Sequence, residues 1–435
     1  MTQTPAWKGP EVDGITNSLL QLFLQCRERF RLLTIEGLQE LRTYNKAIEF
    51  GSCFHEAEEA YREASMQGKA SGLKNAMDAI TRYSAKLRKW NPSDAGEITQ
   101  QESVLQELFP LYASFEKEDA RTRNYFIQEA TFKIPYPLPD GRIVYLRGKI
   151  DSGYWISPAN HIPKVGSDPG EPVNNPKYIY LQENKCKGKI DQTSLPETLF
   201  GNLQTGIYLT AMDVINQTPA TKRHKLFGDR KHARNWPKDA KLAGTLYNVI
   251  RRPFADFFAP KQGVKENHHN FLKRSFHGGK TPKGNDQKDN GKYPIAKNPD
   301  WWFMQWKIPM KYGGSNTHTT NEPHETTNEA STLPWDYRSN NLSEFQTRML
   351  NPILTQLCDW YDWVAPIDPT VKTIEMDGHP RIIADPYRPG NKLHYQFPFG
   401  VYHSLAGGFR GAFYEKLVHN REHDLDKITN LFPEL

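Results

Sequence analysis

Two long runs in which apolar and polar residues alternate, YFIQEATFKIPY (125–136) and RIVYLRGKIDSGYWI (142–156), are separated only by PLPDG. A period of two is that of a half-buried strand, and a Pro-Asp-Gly stretch between two such runs is a turn, so the pair predicts an antiparallel hairpin. A hairpin must bury one face against something. The preceding third of the chain supplies that cover: from Asn17 the segment SLLQLFLQCRERFRLL places Leu19, Leu22, Phe23, Cys26 and Phe30 on one helical face, with Asn17 or Ser18 as N-cap. A second helix is expected through CFHEAEEAYREA, and two more across 72–90 and 97–120.

Beyond the hairpin, SPANHIPKVGSDPGEPVNNP is dense in turn formers and reads as an exposed loop before a third strand, KYIYLQENKC. Residues 196–215 carry Leu199, Leu203, Ile207 and Met212 at helical spacing, and TLYNVIRR reads as another strand. The sum is a mixed central sheet flanked by helices, an α/β (α+β) architecture with long loop insertions. Residues 221–241 and 251–299, rich in Lys, Arg, His, Gly and Asn, are expected to be loops, as is NTHTTNEPHETTNEAST between a strand at WWFMQWKIPM and a helix at SEFQTRMLNPILTQLCDWYDWV. The expected division is a helical part over 1–125, a core over 126–252 and an extension with basic loops over 253–435 packed on that core, one domain overall.

Composition narrows the function classes. With 37% hydrophobic and 24% charged residues the chain reads as a soluble protein, and no apolar stretch approaches the roughly 18 residues of a membrane span, so a cytoplasmic location is expected. The four cysteines, Cys26, Cys53, Cys186 and Cys358, are far apart, which argues against a structural zinc site or a disulfide framework. A net charge of +6 permits a polyanionic partner without demanding one.

The chemistry sits in three short segments: GKID ending at Asp151, QENK carrying Glu183 and Lys185, and His55 on an earlier helix. Glu183 and Lys185, two apart on a strand, share a face while Asn184 points away. Carboxylates such as Asp151 and Glu183 can hold a hard divalent cation, which neutralises a phosphodiester and activates water. Lys185 can orient the attacking water or stabilise the pentavalent phosphorus. An isolated E-x-K is more often a solvated ion pair, and a lone helical histidine more often structural. Gln204 and Tyr208, four apart on a helix, share a face that can contact phosphate or brace the lysine.

The ordered set G-x-x-x-H, G-K-I-D, E-N-K and Q-T-G-I-Y resembles the RecB-like branch of the PD-(D/E)XK nucleases, which includes phage-type exonucleases; QLFLQCRERF and LYNVIRRP are similar to further elements of that branch. The resemblance spans residues 16–252 and implies a restriction-endonuclease-like core. It further implies metal ligation by His55, Asp151, Glu183 and the Asn184 main chain, a catalytic core of Asp151, Glu183 and Lys185, and substrate binding by Gln204 and Tyr208. One or two Mg²⁺ or Mn²⁺ ions, DNA as substrate, products with 5′-phosphate, and an exonuclease role in recombination, repair or phage DNA processing follow as expectations. A structure-specific endonuclease and a catalytically inactive nucleic-acid-binding module are the alternatives, and a recombinase or helicase is a conceivable protein partner. Cys26 resembles the first of four iron–sulfur ligands in some relatives, but Cys358 stands alone near the C-terminus and no cluster is expected. HGGKTP near residue 280 has Arg274 where a P-loop needs glycine, and His268, His269 and His277 have no cysteine partners, so neither a nucleotide motor nor a zinc site is expected there.

Overall fold

A computed structural model describes residues 7–364, apart from 26, 36–37, 41–43, 120–122, 157–176, 189–201, 239, 256–258 and 312–339; beyond 364 it describes only 374–376, 379–381 and 417–419. Cys26, Leu199 and the two polar loops expected at 157–176 and 316–332 therefore lie outside the described residues.

The N-terminal third is helical, as its periodicity predicts. Helix α1 (Asn17–Gln25) buries Leu19, Leu20 and Phe23. Helix α2 (Lys46–Met66) begins earlier than CFHEAEEAYREA suggested, because Asn45 caps it, its side chain accepting from the amides of Ala47 and Ile48. Gly51 and Ser52 lie inside the helix, and His55 sits mid-helix. Helices α3 (Gly72–Trp90) and α4 (Ala95–Asp119) follow within a few residues of their expected bounds.

The hairpin is β1 (Asn124–Pro137) and β2 (Ile143–Ile156), paired antiparallel from Pro137↔Ile143 onward. Its turn closes with Leu138 N–H donating to Arg142 O at 2.8 Å and Gly141 at φ 90°, the left-handed conformation for which a Gly is needed. Strand β3 (Lys177–Lys187) pairs antiparallel with β2 and parallel with β4 (Ala240–Arg251), which pairs antiparallel with β5 (Phe303–Lys311). The two-residue strand Asn340–Asn341 extends this edge, completing the order β1-β2-β3-β4-β5-β6. The parallel step needs a crossover, and helix α5 (Leu203–Gln217) provides it, capped by the Asn202 side chain on Thr205 N–H at 3.0 Å.

Two apolar clusters give the layers. One joins the sheet to α1, α5 and the C-terminal helix α6 (Asn351–Val364), through residues such as Phe23, Leu181, Met212 and Trp360. The other joins the sheet to α2, α3 and α4 through Phe54, Ile80, Phe109 and Ile250. The mixed sheet flanked by helices is thus the observed architecture.

Two segments expected to be loops carry structure. Within 221–241 a short helix spans Arg230–Asn235, capped by Asp229. Within 251–299 a ten-residue helix spans His268–His277 and buries Phe271, Leu272 and Phe276. Their apolar residues are too few for a clear period, and tertiary contacts decide the conformation, the first helix packing Ala233 on the first cluster and the second helix packing in the second. No helix of the described residues is long and apolar enough to cross a membrane.

Candidate active site

The site lies where β1, β2 and β3 meet α2. In β1 and β2, Gln128 pairs with Ser152 and Ala130 with Ile150, so Glu129 stands opposite Asp151. In β2 and β3 the pairing runs up to Ser152↔Gln182 and ends there, at the step that would join Asp151 to Glu183. Glu129, Asp151 and Glu183 thus occupy one row across three strands. The opening between β2 and β3 is filled by Asp151 itself, whose Oδ2 accepts from the Asn184 main-chain N–H at 2.8 Å.

Glu129 has φ 47°, a left-handed conformation that costs a residue with a side chain about 1–3 kcal/mol and is retained where the surroundings demand it. Its Oε1 lies 3.2 Å from His55 Nδ1, and its Oε2 is 2.6 Å from Lys149 Nζ. His55 Nδ1 is also 3.9 Å from Asp151 Oδ1, so one imidazole faces two carboxylates. Ligand atoms of His55, Glu129 and Asp151 all lie within 4.8 Å of one another, a spacing at which they can share one cation.

Beside this cluster, Glu183 is fully buried and paired with Lys185. Neither of its carboxylate oxygens accepts a well-formed hydrogen bond among the described residues. A buried carboxylate with no well-formed hydrogen bond to either oxygen has coordination capacity to spare. The donor set of one imidazole and hard carboxylate oxygens fits a divalent cation, and contains no thiolate for softer metals.

The electrostatics follow from crowding. Burial, reinforced by Asp151, pushes the Glu183 carboxyl up to about 7. Burial likewise raises Asp151, with Glu129 adding to it and His55 opposing it. Burial alone would lower His55, but Asp151 and Glu129 outweigh it and bring the imidazole up to about 10. Lys185 is raised despite its burial because Glu183 and Asp151 hold its ammonium charged. The site gathers negative charge in a low-dielectric pocket and answers it with His55, Lys149 and Lys185, so a divalent cation bound there takes the place of the His55 proton.

On the other side of β3, the Asn184 side chain enters a buried polar network. Its Nδ2 donates to Glu58 Oε2 at 2.6 Å, and its Oδ1 accepts from Asn248 Nδ2 at 2.8 Å and Gln182 Nε2 at 3.1 Å. Glu58 also accepts from Tyr112 OH at 3.0 Å and lies near Arg62, which pairs with Glu116. The peptide that holds Asp151 is therefore fixed from behind.

Of the residues singled out in the sequence, His55, Asp151, Glu183, Asn184 and Lys185 come together here. Gln204 and Tyr208 lie on α5: Tyr208 is 1% exposed, with its ring edge-on to Phe132, and Gln204 Nε2 reaches its hydroxyl at 3.4 Å. Glu129 escaped sequence reading because QEAT looks like any alternating strand. A usable signal existed, since counting back equally along both strands from the Pro137–Ile143 end of the hairpin brings Glu129 opposite Asp151.

A mixed sheet that gathers an imidazole and carboxylates at the split between two strands defines an α/β domain with a candidate divalent-metal centre. The family whose model matches this chain is the PD-(D/E)XK nuclease superfamily, over residues 15–152, a stretch that includes His55, Glu129 and Asp151 and ends before Glu183 and Lys185. The mixed sheet flanked by helices fits a domain of that superfamily, and the likeness over this stretch suggests a metal-dependent nuclease. No curated protein matches the chain.

Proposed function

We propose that the protein is a DNA nuclease, an exonuclease of recombination, repair or phage DNA processing, using Mg²⁺ or Mn²⁺. The observation that carries this reading is the convergence of His55, Glu129 and Asp151 within 4.8 Å beside the Glu183–Lys185 pair. A bound divalent cation supplies charge neutralisation at the phosphate and acidifies water. His55, Glu129, Asp151 and Glu183 are the residues to hold it. Lys185, kept charged by Glu183 and Asp151, offers an ammonium to the phosphate oxygens as negative charge grows on them. Lys149 holds Glu129 in place through its second oxygen. Gln204, partly exposed at the start of α5, is the member of the Gln204–Tyr208 pair available to substrate.

The test is incubation of purified protein with end-labelled linear DNA and with closed circular DNA, in Mg²⁺, Mn²⁺ or EDTA. Asp151→Asn and Lys185→Ala should each lower the rate by at least 100-fold at unchanged far-UV dichroism, in the range expected for removal of one transition-state donor. Degradation of linear DNA alone, lost with EDTA and in both variants, supports the exonuclease. Cutting of circles makes it an endonuclease, and full activity of Lys185→Ala refutes the assignment.

A further inference from the structure

The chain's net charge of +6 is concentrated in one place. Residues 259–298, joining β4 to β5, contain eight lysines and Arg274 against Glu266, Asp286 and Asp289: nine positive and three negative charges, a net of +6 that equals the total for the chain. The remaining residues are balanced. Two of the three acids of this insertion, Glu266 and Asp289, are used internally. Glu266 takes Arg274 through both oxygens, at 2.6 and 2.8 Å, and Asp289 accepts from Gly291 N–H and Asn298 Nδ2.

The insertion is built rather than loose. Buried Arg274 also donates to Lys261 O at 2.9 Å and Gln287 Oε1 at 2.6 Å, so one guanidinium ties three separate stretches together. A turn closed by Gly284 N–H on Thr281 O, with Gly284 at φ 80°, carries Lys283 at its tip. Among the described residues Lys265, Lys273, Lys280, Lys283 and Lys288 are exposed and form no ion pair, and such a row of solvated ammonium groups on a fixed frame is what tracks a polyanionic backbone.

Its position is the second observation. Phe271, Phe276 and Tyr293 pack in one cluster with Phe54, the neighbour of His55, and with Cys186, the neighbour of Lys185. The insertion therefore flanks the carboxy ends of the parallel strands β3 and β4, beside Lys187 and Arg252, where ligands of open α/β sheets gather.

We infer that the 259–298 insertion is a phosphate-backbone clamp that holds nucleic acid next to the metal site, without reading its sequence. This rests on the nuclease reading above. Lysine, a compact point charge, suits phosphates contacted one at a time.

The experiment measures binding of a labelled DNA duplex against NaCl concentration, with EDTA present so that no cleavage intervenes. The wild type is compared with Lys280→Gln/Lys283→Gln/Lys288→Gln and with a control that removes equal charge from exposed sites on and before α3, Lys69→Gln/Lys74→Gln/Lys89→Gln. Each lost phosphate contact lowers the slope of log K against log salt by about 0.9, so the first variant should lose about 2–3 from the slope while the control loses little. Unchanged thermal unfolding of both variants checks the fold. Equal slopes in all three proteins, or equal losses in both variants, overturn the clamp. Binding of an acidic peptide through these lysines, with DNA binding unaffected, would assign the surface to a protein partner and also overturn it. Failure of the wild type to bind any nucleic acid would sink the nuclease reading together with the clamp.

Discussion

Asn184 is used twice. Its main-chain N–H holds Asp151, and its side chain makes three hydrogen bonds in the buried network, one of them to the carboxylate of Glu58. Removing the side chain leaves Glu58 without its shortest donor, and a buried carboxylate stripped of a partner is costly. Asn184→Ala should therefore destabilise the protein by about 2–4 kcal/mol in denaturant titration, and a loss below about 0.5 kcal/mol would contradict the network's role. This network was illegible beforehand because Gln182 and Asn184 stand in the unbroken polar run QENK, and nothing local to them or to Asn248 marks them as buried. What buries them is α2 and α4, whose Glu58, Arg62, Tyr112 and Glu116 answer them across more than 60 residues of sequence. Glu183 and Lys185 were legible because spacing on one strand is local information; Glu129 needed the hairpin's register.

Among the elements, the contact between α5 and the hairpin leaves no room for a side chain. A Cβ added at Gly148 would lie 2.7 Å from Tyr208 Cε1 and 2.9 Å from the Phe132 ring, both buried in the core. The glycine of GKID is thus explained by close approach of a helix rather than by a turn. Gly148→Ala should cost about 1–3 kcal/mol through overpacking, and Phe132→Leu added to it should recover part of the loss. Absence of any rescue would mean that Phe132 is not what crowds the new methyl group. Hydrophobic periodicity predicted α1, α3, α4 and all the long strands, since each buries a stripe or a face. It missed the helix at His268–His277, whose amphipathic pattern is three aromatic and aliphatic residues among His, Lys and Arg, and whose stability comes from packing in the second cluster, with Phe271 and Phe276 against Phe254.

At the scale of the whole molecule, the site's four candidate ligands come from four elements: His55 from α2, Glu129 from β1, Asp151 from β2 and Glu183 from β3. Three carboxylates in one row repel one another, and the unfolded chain, which separates them, has no comparable site. A divalent cation that binds the folded chain alone therefore stabilises it by about 2.7 kcal/mol at a concentration 100 times its Kd. Because the ligands span the sheet and the α2 layer, the gain should appear in the main unfolding transition, not only in a local one. Thermal unfolding in saturating Mg²⁺ or Mn²⁺ should thus rise by a few degrees over EDTA, and the rise should vanish in Asp151→Asn. Ca²⁺, which accepts the same oxygen donors, should reproduce the stabilisation whether or not it supports turnover, separating the metal's structural effect from its chemistry. A metal-induced rise of equal size in the wild type and in Asp151→Asn would place the cation elsewhere on the protein and remove the ligand role assigned to this row.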